Sequence, residues 1–341
     1  MADVPSPRGG KPVILVTGGA GYIGSHVVLA LLDAGYETVV LDNLSTGSRA
    51  LVDPRATFVE GEAGDTGAVT SLMQQHGVRG VVHLAAFISV EGSLSHPLDY
   101  YRNNTAVTVA LLQSCVDAGV TAFVFSSTAA VYGDPPEPLV TEALPPAPQA
   151  PYGASKLMSE RILADTARAH GLRNCALRYF NVAGADPGGR SGQRSGASNL
   201  IKVALDTAIG RREVLPVFGN DFPTPDGSGV RDYIHVTDLA AAHVLVLQRL
   251  LAGSETPEVL NCGYGRGHSV FDVIAAIEAV TGKPVPWQLF PRRAGDLAAV
   301  VADSNRIKNL GWQTAYDSLD AIVEHAWNWE LSQQAAETTA G

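Results

Sequence analysis

The sequence is poor in cysteine and in long apolar runs, and each shortage excludes a class of protein. Its three cysteines, Cys115, Cys175 and Cys262, are widely spaced and form no Cys-x-x-Cys pair, which excludes a disulfide framework and indicates buried thiols in a reducing compartment. The nine histidines show no metal spacing, so we expect no metal site. No apolar run approaches the roughly 18 residues of a membrane span, and the polar N-terminus lacks the apolar core of a signal peptide. We therefore expect a cytoplasmic protein without a membrane partner.

Charge is also scarce, and basic charge most of all. Charged residues make up 17% of the chain, and 34 acids against 24 bases give a net charge of −10. An acidic surface repels phosphate backbones, so we expect no nucleic-acid partner. A phosphate-bearing ligand must instead be bound by local features, namely helix N-termini and a few arginines. Apolar residues at 46% are enough for a large core, and 341 residues suit two lobes.

The first half of the chain alternates between short apolar runs and amphipathic stretches. The pattern predicts strands at 13–16, 38–41, 57–59, 81–84, 122–125 and 175–179, and helices at 25–34, 66–76, 97–118 and 152–170. Such alternation is typical of an α/β fold with a doubly wound, Rossmann-like parallel sheet. We assign this domain to residues 12–181, preceded by a flexible tail over 1–11, and allow further strands from 231–262.

Beyond Asn181 the pattern changes to long Gly-, Ser- and Pro-containing loops at 183–198 and 219–229. Helices are predicted at 199–210, 236–251 and 269–281, with strands near 258–261 and 284–290. Long loops in a compact enzyme usually bind ligands. We therefore predict a smaller, mixed α/β substrate lobe over 182–329 and a polar tail over 330–341.

A glycine-rich turn follows the first predicted strand. Residues 17–24 read TGGAGYIG and fit Gly-x-Gly-x-x-Gly, in which the glycines allow a tight turn and close approach of the backbone to a pyrophosphate at a helix N-terminus. Asp42 ends the second strand, 18 residues after Gly24, where a carboxylate accepts from a ribose 2′-hydroxyl and repels a 2′-phosphate. Asn43 follows it where an arginine would favour NADP. The pattern predicts an NAD site.

A tyrosine and a lysine stand four residues apart at the start of a predicted helix. Tyr152 and Lys156 would share one helix face, and a nearby ammonium together with a positive nicotinamide favours the phenolate. The tyrosine could then take a proton from a hydroxyl while a hydride leaves the same carbon. Thr128 follows a buried strand at the carboxyl edge of the sheet, where its hydroxyl could hold the substrate oxygen.

Further motifs accompany these segments along the chain. They are LDNL at 41–44, YYRNN at 100–104, FSSTAAVYG at 125–133, PYGASK at 151–156, LRYFN at 177–181, FGNDFPTPDG at 218–227, VRDYIHV at 230–236 and PRRAGD at 291–296. The motifs up to residue 156 resemble those of extended short-chain dehydrogenases, and the later ones narrow the resemblance to UDP-galactose (UDP-glucose) 4-epimerases. The similarity runs from about residue 12 to residue 329.

The resemblance implies a role for each matching position. Tyr152 would be the base, Lys156 its electrostatic partner and Thr128 the hydroxyl relay. NAD would be lined by Gly18, Gly21, Tyr22, Ile23, Gly24, Asp42, Asn43, Glu62, Ala63, Leu84, Ala85, Ala86, Asn103, Ser126, Tyr152, Lys156 and Phe180. The UDP-sugar would be held by Thr128, Tyr152, Asn181, Asn199, Leu200, Phe218, Arg231, Arg293, Asp296 and Val300, with the two arginines on the diphosphate. The resemblance also implies a homodimer through the helices at 97–118 and 152–170.

The function implied is interconversion of UDP-galactose and UDP-glucose through a 4-keto sugar that turns within the site. Epimerisation of UDP-pentoses remains an alternative function, because no motif that we identify recognises C6 of the hexose. A dehydratase needs an acid–base pair after the strand-end threonine, whereas Ala129 and Ala130 follow Thr128 here. A non-catalytic NAD-binding regulator is disfavoured because both Tyr152 and Lys156 are present.

Three departures from the family pattern bear on ligand binding. Glu62 is followed by Ala63 in place of a larger aliphatic residue, and Ile88 replaces a lysine near the pyrophosphate. Both changes predict weaker retention of NAD. Val300 stands where glucose-restricted members carry a tyrosine, so we expect room for a 2-acetamido group and turnover of UDP-N-acetylhexosamines as well.

Overall fold

The computed structural model describes residues 11–194, 196, 199–293 and 295–340, with side chains through residue 336. The predicted N-terminal tail, apart from Lys11, lies outside the described residues. The strands are β1 Val13–Thr17, β2 Thr38–Asp42, β3 Thr57–Glu60, β4 Val78–His83, β5 Ala122–Thr128, β6 Leu139–Val140, β7 Arg173–Tyr179, β8 Asn181–Ala183, β9 Leu215–Phe218, β10 Val230–His235, β11 Val259–Cys262, β12 Gly267–Ser269, β13 Trp287–Phe290 and β14 Ala299–Ala302. The helices are α1 Tyr22–Asp33, α2 Thr66–His76, α3 Val90–Ser95, α4 Pro97–Tyr100, α5 Val107–Ala118, α6 Pro151–His170, α7 Leu200–Ile209, α8 Val236–Leu251, α9 Val270–Thr281, α10 Asn305–Asn309 and α11 Leu319–Ala340.

The large sheet has seven strands in the order β11-β7-β5-β4-β1-β2-β3. The pairs β1–β2, β2–β3, β1–β4 and β4–β5 run parallel, and Ile14 aligns with Thr38 on one side and Gly80 on the other. The strand order reverses direction at β1, which is the arrangement that places ligands at the carboxyl ends of the central strands. The predicted doubly wound sheet is confirmed.

The chain divides into two compact units. Unit 1 consists of the chain up to Val131, Ala150–Leu177 and His243–Val259, and unit 2 consists of Tyr132–Gln149, Arg178–Ala242 and the chain from Leu260 onward. The domain boundary predicted at residue 181 lies just beyond Leu177, where the chain passes from unit 1 to unit 2. The other points at which the chain passes between the units were not visible in the sequence, because each lies inside or beside a helix or strand.

The core of unit 1 lies against both faces of its sheet. On one face, α2, α5 and α6 contribute side chains such as Met73, Leu111 and Leu163, none more than 1% exposed, to a cluster around Leu15 and Phe123. Cys115 belongs to the same cluster, and Cys175 and Cys262 are also fully buried free thiols. Burial raises the pKa of the Cys115 and Cys262 thiols well above the ordinary value.

Unit 2 is built on a second sheet with the order β12-β10-β14-β6, in which β8 also pairs with β10. Arg231 of β10 aligns with Val300 of β14. The buried carboxylate of Asp232 accepts hydrogen bonds from the backbone N–H groups of Tyr264, Gly265 and Ala302, and so fixes the loops that follow β11 and β14. A separate parallel pair joins β9 to β13.

Two predicted elements differ from the structure. The helix predicted over 97–118 is divided into α4, a π-helical turn at Tyr101–Ala106 and α5, because the turn carries two asparagines whose side chains bond to neighbouring groups. The polar tail predicted from residue 330 is wrong for residues 330–340, which continue α11. Glu330 is only 3% exposed there, and it is paired with the buried ammonium of Lys202. Within the described chain, no helix combines the length and apolar character needed to cross a bilayer.

Candidate active site

The glycine-rich turn joins β1 to α1 in a conformation that other residues could not adopt. Gly18 has a φ of +73°, and a Cβ atom there would lie 2.6 Å from the backbone nitrogen of Ala85. A Cβ on Gly24 would lie 2.0 Å from the carbonyl oxygen of Gly18. Among the described residues, no side chain caps the start of α1 at Gly21, so the helix N-terminus faces the turn with backbone N–H groups. This cradle fits a pyrophosphate.

Asp42 lies beside this turn at the end of β2. Its carboxylate accepts from the backbone N–H of Ala20 at 2.9 Å and of Leu44 at 2.8 Å. These two hydrogen bonds hold the carboxylate at the carboxyl end of the sheet, where it would bind the ribose of NAD. Next to it, Asn43 donates to Glu62 at 3.1 Å, and Ala63 is buried behind them. The residues predicted to line the adenosine half thus form one continuous edge.

The loop after β4 is held by a residue that sequence reasoning missed. Asn104 accepts from the N–H of Phe87 at 2.8 Å and donates to its carbonyl at 3.0 Å, which fixes the segment of Leu84, Ala85 and Ala86. It also accepts from Asn103 at 3.1 Å. The π-helical turn therefore places Asn103, the predicted ligand, and Asn104, its support, side by side.

The tyrosine–lysine cluster, comprising Thr128, Tyr152 and Lys156, is assembled where β5 ends and α6 begins. The Thr128 side chain lies near enough to the Tyr152 hydroxyl to lower its pKa. The Lys156 ammonium donates to the carbonyl of Ser126 at 2.8 Å and lies 5.0 Å from the centre of the Phe125 ring. All three side chains of the cluster are buried. The two residues spaced four apart do share the helix face that meets the strand-end threonine.

Burial controls the proton affinities of this cluster. It raises the pKa of Tyr152 to about 12, against a smaller lowering by the neighbouring Thr128 side chain. It lowers the pKa of Lys156 to about 7, opposed by the negative charge of Glu160. Tyr152 is therefore a neutral phenol in the protein alone, and its ionisation requires added positive charge nearby. A bound nicotinamide cation would supply this positive charge.

The arginine cluster lies in unit 2 and comprises Phe218, Arg231, Arg293, Asp296 and Val300. The guanidinium of Arg293 lies 4.6 Å from the centre of the Phe218 ring, and its Nε donates to Asp296 at 2.9 Å. Burial lowers the pKa of Arg231, the positive charge of Arg293 lowers it further, and Asp296 opposes both effects. Two neighbouring guanidinium groups with one carboxylate leave net positive charge, which a diphosphate would neutralise.

The remaining predicted substrate residues lie on other elements of unit 2. Asn199 is the N-cap of α7 and accepts from the N–H of Lys202 at 2.9 Å, and Leu200 is the first residue of that helix. Asn181 starts β8 and aligns with Tyr233 of β10. Phe180, a predicted cofactor residue, precedes Asn181 and is 9% exposed. Across the described residues, no group of histidines, cysteines and acids is arranged to hold a metal ion.

The chain matches known proteins over nearly all its length. Residues 14–263 match the NAD dependent epimerase/dehydratase family. The UDP-glucose 4-epimerase of Azospirillum brasilense is 51% identical over 333 residues, which cover 97% of this chain and 95% of that protein. The chain belongs to the UDP-glucose 4-epimerases of this family. The predicted family and its enzyme class, an isomerase, are confirmed.

Solved structures of UDP-glucose 4-epimerases have the same fold. One from Stenotrophomonas maltophila, with bound NAD and formylated UDP-arabinopyranose, superposes with a TM-score of 0.91 at 39% identity and covers 96% of this chain and 100% of that one. The UDP-Glc/GlcNAc 4-epimerase of Campylobacter jejuni superposes with a TM-score of 0.83 at 44% identity, covering 94% of this chain and 100% of that one.

In this UDP-glucose 4-epimerase family member, two further buried residues interact electrostatically with Lys156. Glu160 lies one helical turn after Lys156 and accepts a short hydrogen bond from the hydroxyl of Ser127. His83 lies 2.6 Å from the Thr17 hydroxyl and 3.2 Å from that of Thr108, and burial, reinforced by the Lys156 charge, lowers its pKa to about 3. His83 is thus neutral at physiological pH. The spacing of Glu160 from Lys156 is a sequence signal that could have identified it.

Proposed function

We propose that the protein interconverts UDP-galactose and UDP-glucose by inverting C4 of the hexose. The observation that carries this proposal is that Thr128, Tyr152 and Lys156 are buried together where β5 ends and α6 begins, in a member of the 4-epimerase family. The hydroxyl of Thr128 orients the C4 hydroxyl, and Tyr152 takes its proton. Lys156 supplies the positive charge that stabilises the phenolate.

We propose NAD as the cofactor, because the glycine cradle, Asp42 and the loop fixed by Asn104 fit it. When bound, NAD supplies a hydride acceptor and donor for C4. The residues that would hold it are Gly18, Gly21, Tyr22, Ile23 and Gly24 at the pyrophosphate, Asp42, Asn43, Glu62 and Ala63 at the adenosine, and Leu84, Ala85, Ala86, Asn103, Ser126, Tyr152, Lys156 and Phe180 toward the nicotinamide. A Cβ on Gly18 would collide with the backbone of Ala85 and a Cβ on Gly24 with that of Gly18, so the turn keeps this shape only with glycine at both positions.

The UDP moiety is proposed to bind unit 2. Arg231 and Arg293 meet the diphosphate, supported by the start of α7 at Asn199 and Leu200, because a helix N-terminus favours anions. Phe218 offers an aromatic surface at the end of β9, while Asn181 and Asp296 offer polar groups. Dehydration is disfavoured, since Ala129 and Ala130 after Thr128 carry no acid or base.

Incubation of the purified protein with UDP-galactose, without added NAD, tests the function. We expect the anomeric NMR signals of UDP-glucose to grow to an equilibrium mixture, with NAD retained from expression. Conversion only after addition of NAD supports the same function and attributes weak retention to Ala63 and Ile88. No conversion in either case contradicts the proposed substrate, and UDP-pentoses, the other 4-epimerase substrates left open by the sequence, are then assayed.

A second activity, on UDP-N-acetylhexosamines, is favoured by Val300. This residue aligns with Arg231 across the β10–β14 pair and is 7% exposed, so it occupies a fixed place in the arginine cluster with a small side chain. A Val300→Tyr variant should keep turnover of UDP-galactose and lose most turnover of UDP-GlcNAc. If wild-type protein leaves UDP-GlcNAc unchanged while it converts UDP-glucose, this second activity is absent.

We also propose that the protein is a cytoplasmic homodimer. The described part of the chain exposes apolar side chains on neighbouring helices, namely Val90, Leu94, Leu98, Val109 and Met158 on α3 to α6. Clusters of exposed apolar residues are typical of protein interfaces. The mass of the wild type and of a Val109→Glu, Met158→Glu double variant by light scattering tests this. A dimer that the double variant converts to a monomer is expected, and a monomeric wild type contradicts it.

A further inference from the structure

The C-terminal helix α11 supports the loop that precedes α7. The indole Nε1 of Trp329 donates to the carbonyl oxygen of Gln193 at 2.8 Å, and Trp329 is 8% exposed. The backbone of Gly192 rests on the same indole, since a Cβ at Gly192 would lie 2.4 Å from the ring. Any side chain there would displace the ring, so the loop and the tryptophan fix each other.

The loop in turn holds the side chain of Asn199. The amide nitrogen of Asn199 donates to the side-chain oxygen of Gln193 at 2.6 Å, and its amide oxygen caps α7 through the N–H of Lys202. With both ends engaged, the amide has one orientation. An amide nitrogen carries two N–H groups, so the second can donate to a phosphate oxygen at the helix N-terminus.

The residue after Trp329 ties α11 to α7 itself. Glu330 pairs with Lys202 at 3.2 Å and with Arg211 at 2.5 Å, and Asp206 pairs with the same two cations at 2.5 and 3.2 Å. Two acids and two bases balance, and Lys202 is 2% exposed. Buried pairs of this kind favour one arrangement, because breaking one leaves an uncompensated charge. The dipeptide Trp329-Glu330 therefore fixes both the helix and the loop at its start.

We propose that Trp329 and Gln193 are positioning residues for the diphosphate of the substrate, acting through Asn199. The inference rests on the proposed function, in which Asn199 contacts a nucleoside diphosphate. Trp329 fixes the Gln193 backbone, Gln193 orients the Asn199 amide, and the amide meets the phosphate together with the start of α7. The C-terminal helix thus sets affinity for UDP without touching it.

The test compares four single variants and one double variant with the wild type, by calorimetric titration with UDP and by steady-state kinetics with UDP-galactose. Trp329→Phe keeps the ring against Gly192 and removes the donor, and Gln193→Met removes the acceptor for Asn199. Trp327→Phe is the matched control, a buried indole on the same helix that lies beside Lys283 and outside the loop contacts. The fourth variant is Asn199→Ala, alone and combined with Trp329→Phe.

We expect Trp329→Phe and Gln193→Met to raise both the UDP dissociation constant and KM by about 3- to 10-fold, the effect of losing one hydrogen bond, with kcat nearly unchanged. Trp327→Phe should leave both constants at wild-type values. In the Asn199→Ala background, Trp329→Phe should add no further weakening, because it acts through the missing amide.

Two results would overturn the inference. One is a Trp329→Phe variant with a lower melting temperature and unchanged UDP affinity, which makes the tryptophan purely structural. The other is full additivity with Asn199→Ala, which means that Trp329 acts by another route. A wild type that fails to bind UDP at all contradicts the proposed function itself, whereas a wild type that binds UDP with unaffected variants contradicts only this inference.

Discussion

The tyrosine–lysine cluster of unit 1 and the arginine cluster of unit 2 differ in how far their charged side chains are exposed to water. Lys156 is 2% exposed, and burial brings its pKa to about 7. The Arg293 side chain is 57% exposed and its partner Asp296 is 22% exposed, so water reaches this pair. One cluster has few charges, held out of water, whereas the other combines the partly buried Arg231 with an ion pair, Arg293–Asp296, that water reaches.

The difference follows from what each cluster has to do. A group that accepts or releases a proton needs a proton affinity near the working pH, and burial shifts lysine and tyrosine strongly. A group that binds a diphosphate needs a permanent charge, and a guanidinium stays protonated even when its pKa is lowered. Substitutions in the first cluster should therefore change kcat, and substitutions in the second should change KM.

The largest effect is expected from Tyr152→Phe. Removing the hydroxyl removes the base, while the ring keeps its contact with Tyr100 at 6.4 Å. We expect kcat to fall by about 100- to 10,000-fold, the range for loss of a general base. The UDP dissociation constant, measured by calorimetry, should not change. Wild-type activity in this variant would remove Tyr152 from the mechanism.

Arg231→Met should give the converse result. Methionine keeps the apolar stem and removes the charge, and loss of a charge-assisted hydrogen bond costs about 2 kcal/mol, which corresponds to about a 30-fold rise in KM. The rate at saturating UDP-galactose should stay within a small factor of wild type. Arg292→Met is the control, because Arg292 already pairs with Asp221 and stacks on Phe222. Equal effects of the two substitutions would argue against a specific role for Arg231.

Glu160→Gln should change how kcat depends on pH. The carboxylate of Glu160 raises the pKa of Lys156 against the larger lowering by burial, so its removal lowers the pKa of Lys156 further. The ammonium then loses its proton at a lower pH, and kcat should begin to fall at lower pH than in the wild type, by about ten-fold for each pH unit above the new pKa. Identical pH profiles of kcat would show that Glu160 does not control the charge of Lys156.

The smallest effect is expected from salt. Exposed charges are screened over a Debye length of about 10 Å at 0.1 M and about 3 Å at 1 M ionic strength, whereas buried charges are screened much less. Raising sodium chloride should increase KM for UDP-galactose by a few-fold and leave kcat constant. A fall in kcat with a constant KM would contradict the assignment of binding to the arginine cluster and of proton transfer to the tyrosine–lysine cluster.

The parts of the site that were predictable lie in contiguous segments. The turn at 17–24, Asp42 and the Tyr152–Lys156 pair depend on spacing along one chain segment, and the sheet follows from the alternation of apolar runs. The helix face that carries Tyr152 and Lys156 also carries Glu160, which the same spacing rule could have found.

The arginine cluster was accessible only through family resemblance. Phe218, Arg231 and Val300 lie on different strands, and pairing between distant segments leaves no mark in local sequence. The π-helical turn escaped prediction because it differs from an α-helix in its i→i+5 backbone hydrogen bonds, which leave no mark in the residue pattern. The end of α11 was missed because the residues after Trp329 are polar, although Glu330 is paired inside the protein.

The three buried thiols can be used to measure local unfolding of the protein. A thiol that is shielded from water and strongly protonated reacts with an alkylating reagent only when the surrounding structure opens, so labelling rates measure the free energy of that opening. Cys115 and Cys175 belong to unit 1, and Cys262 belongs to unit 2. Mass spectrometry of peptides after short pulses of reagent therefore separates opening at α5, which carries Cys115, from opening at the edge strand β11, which carries Cys262, and added UDP should slow the labelling of Cys262 before that of Cys115.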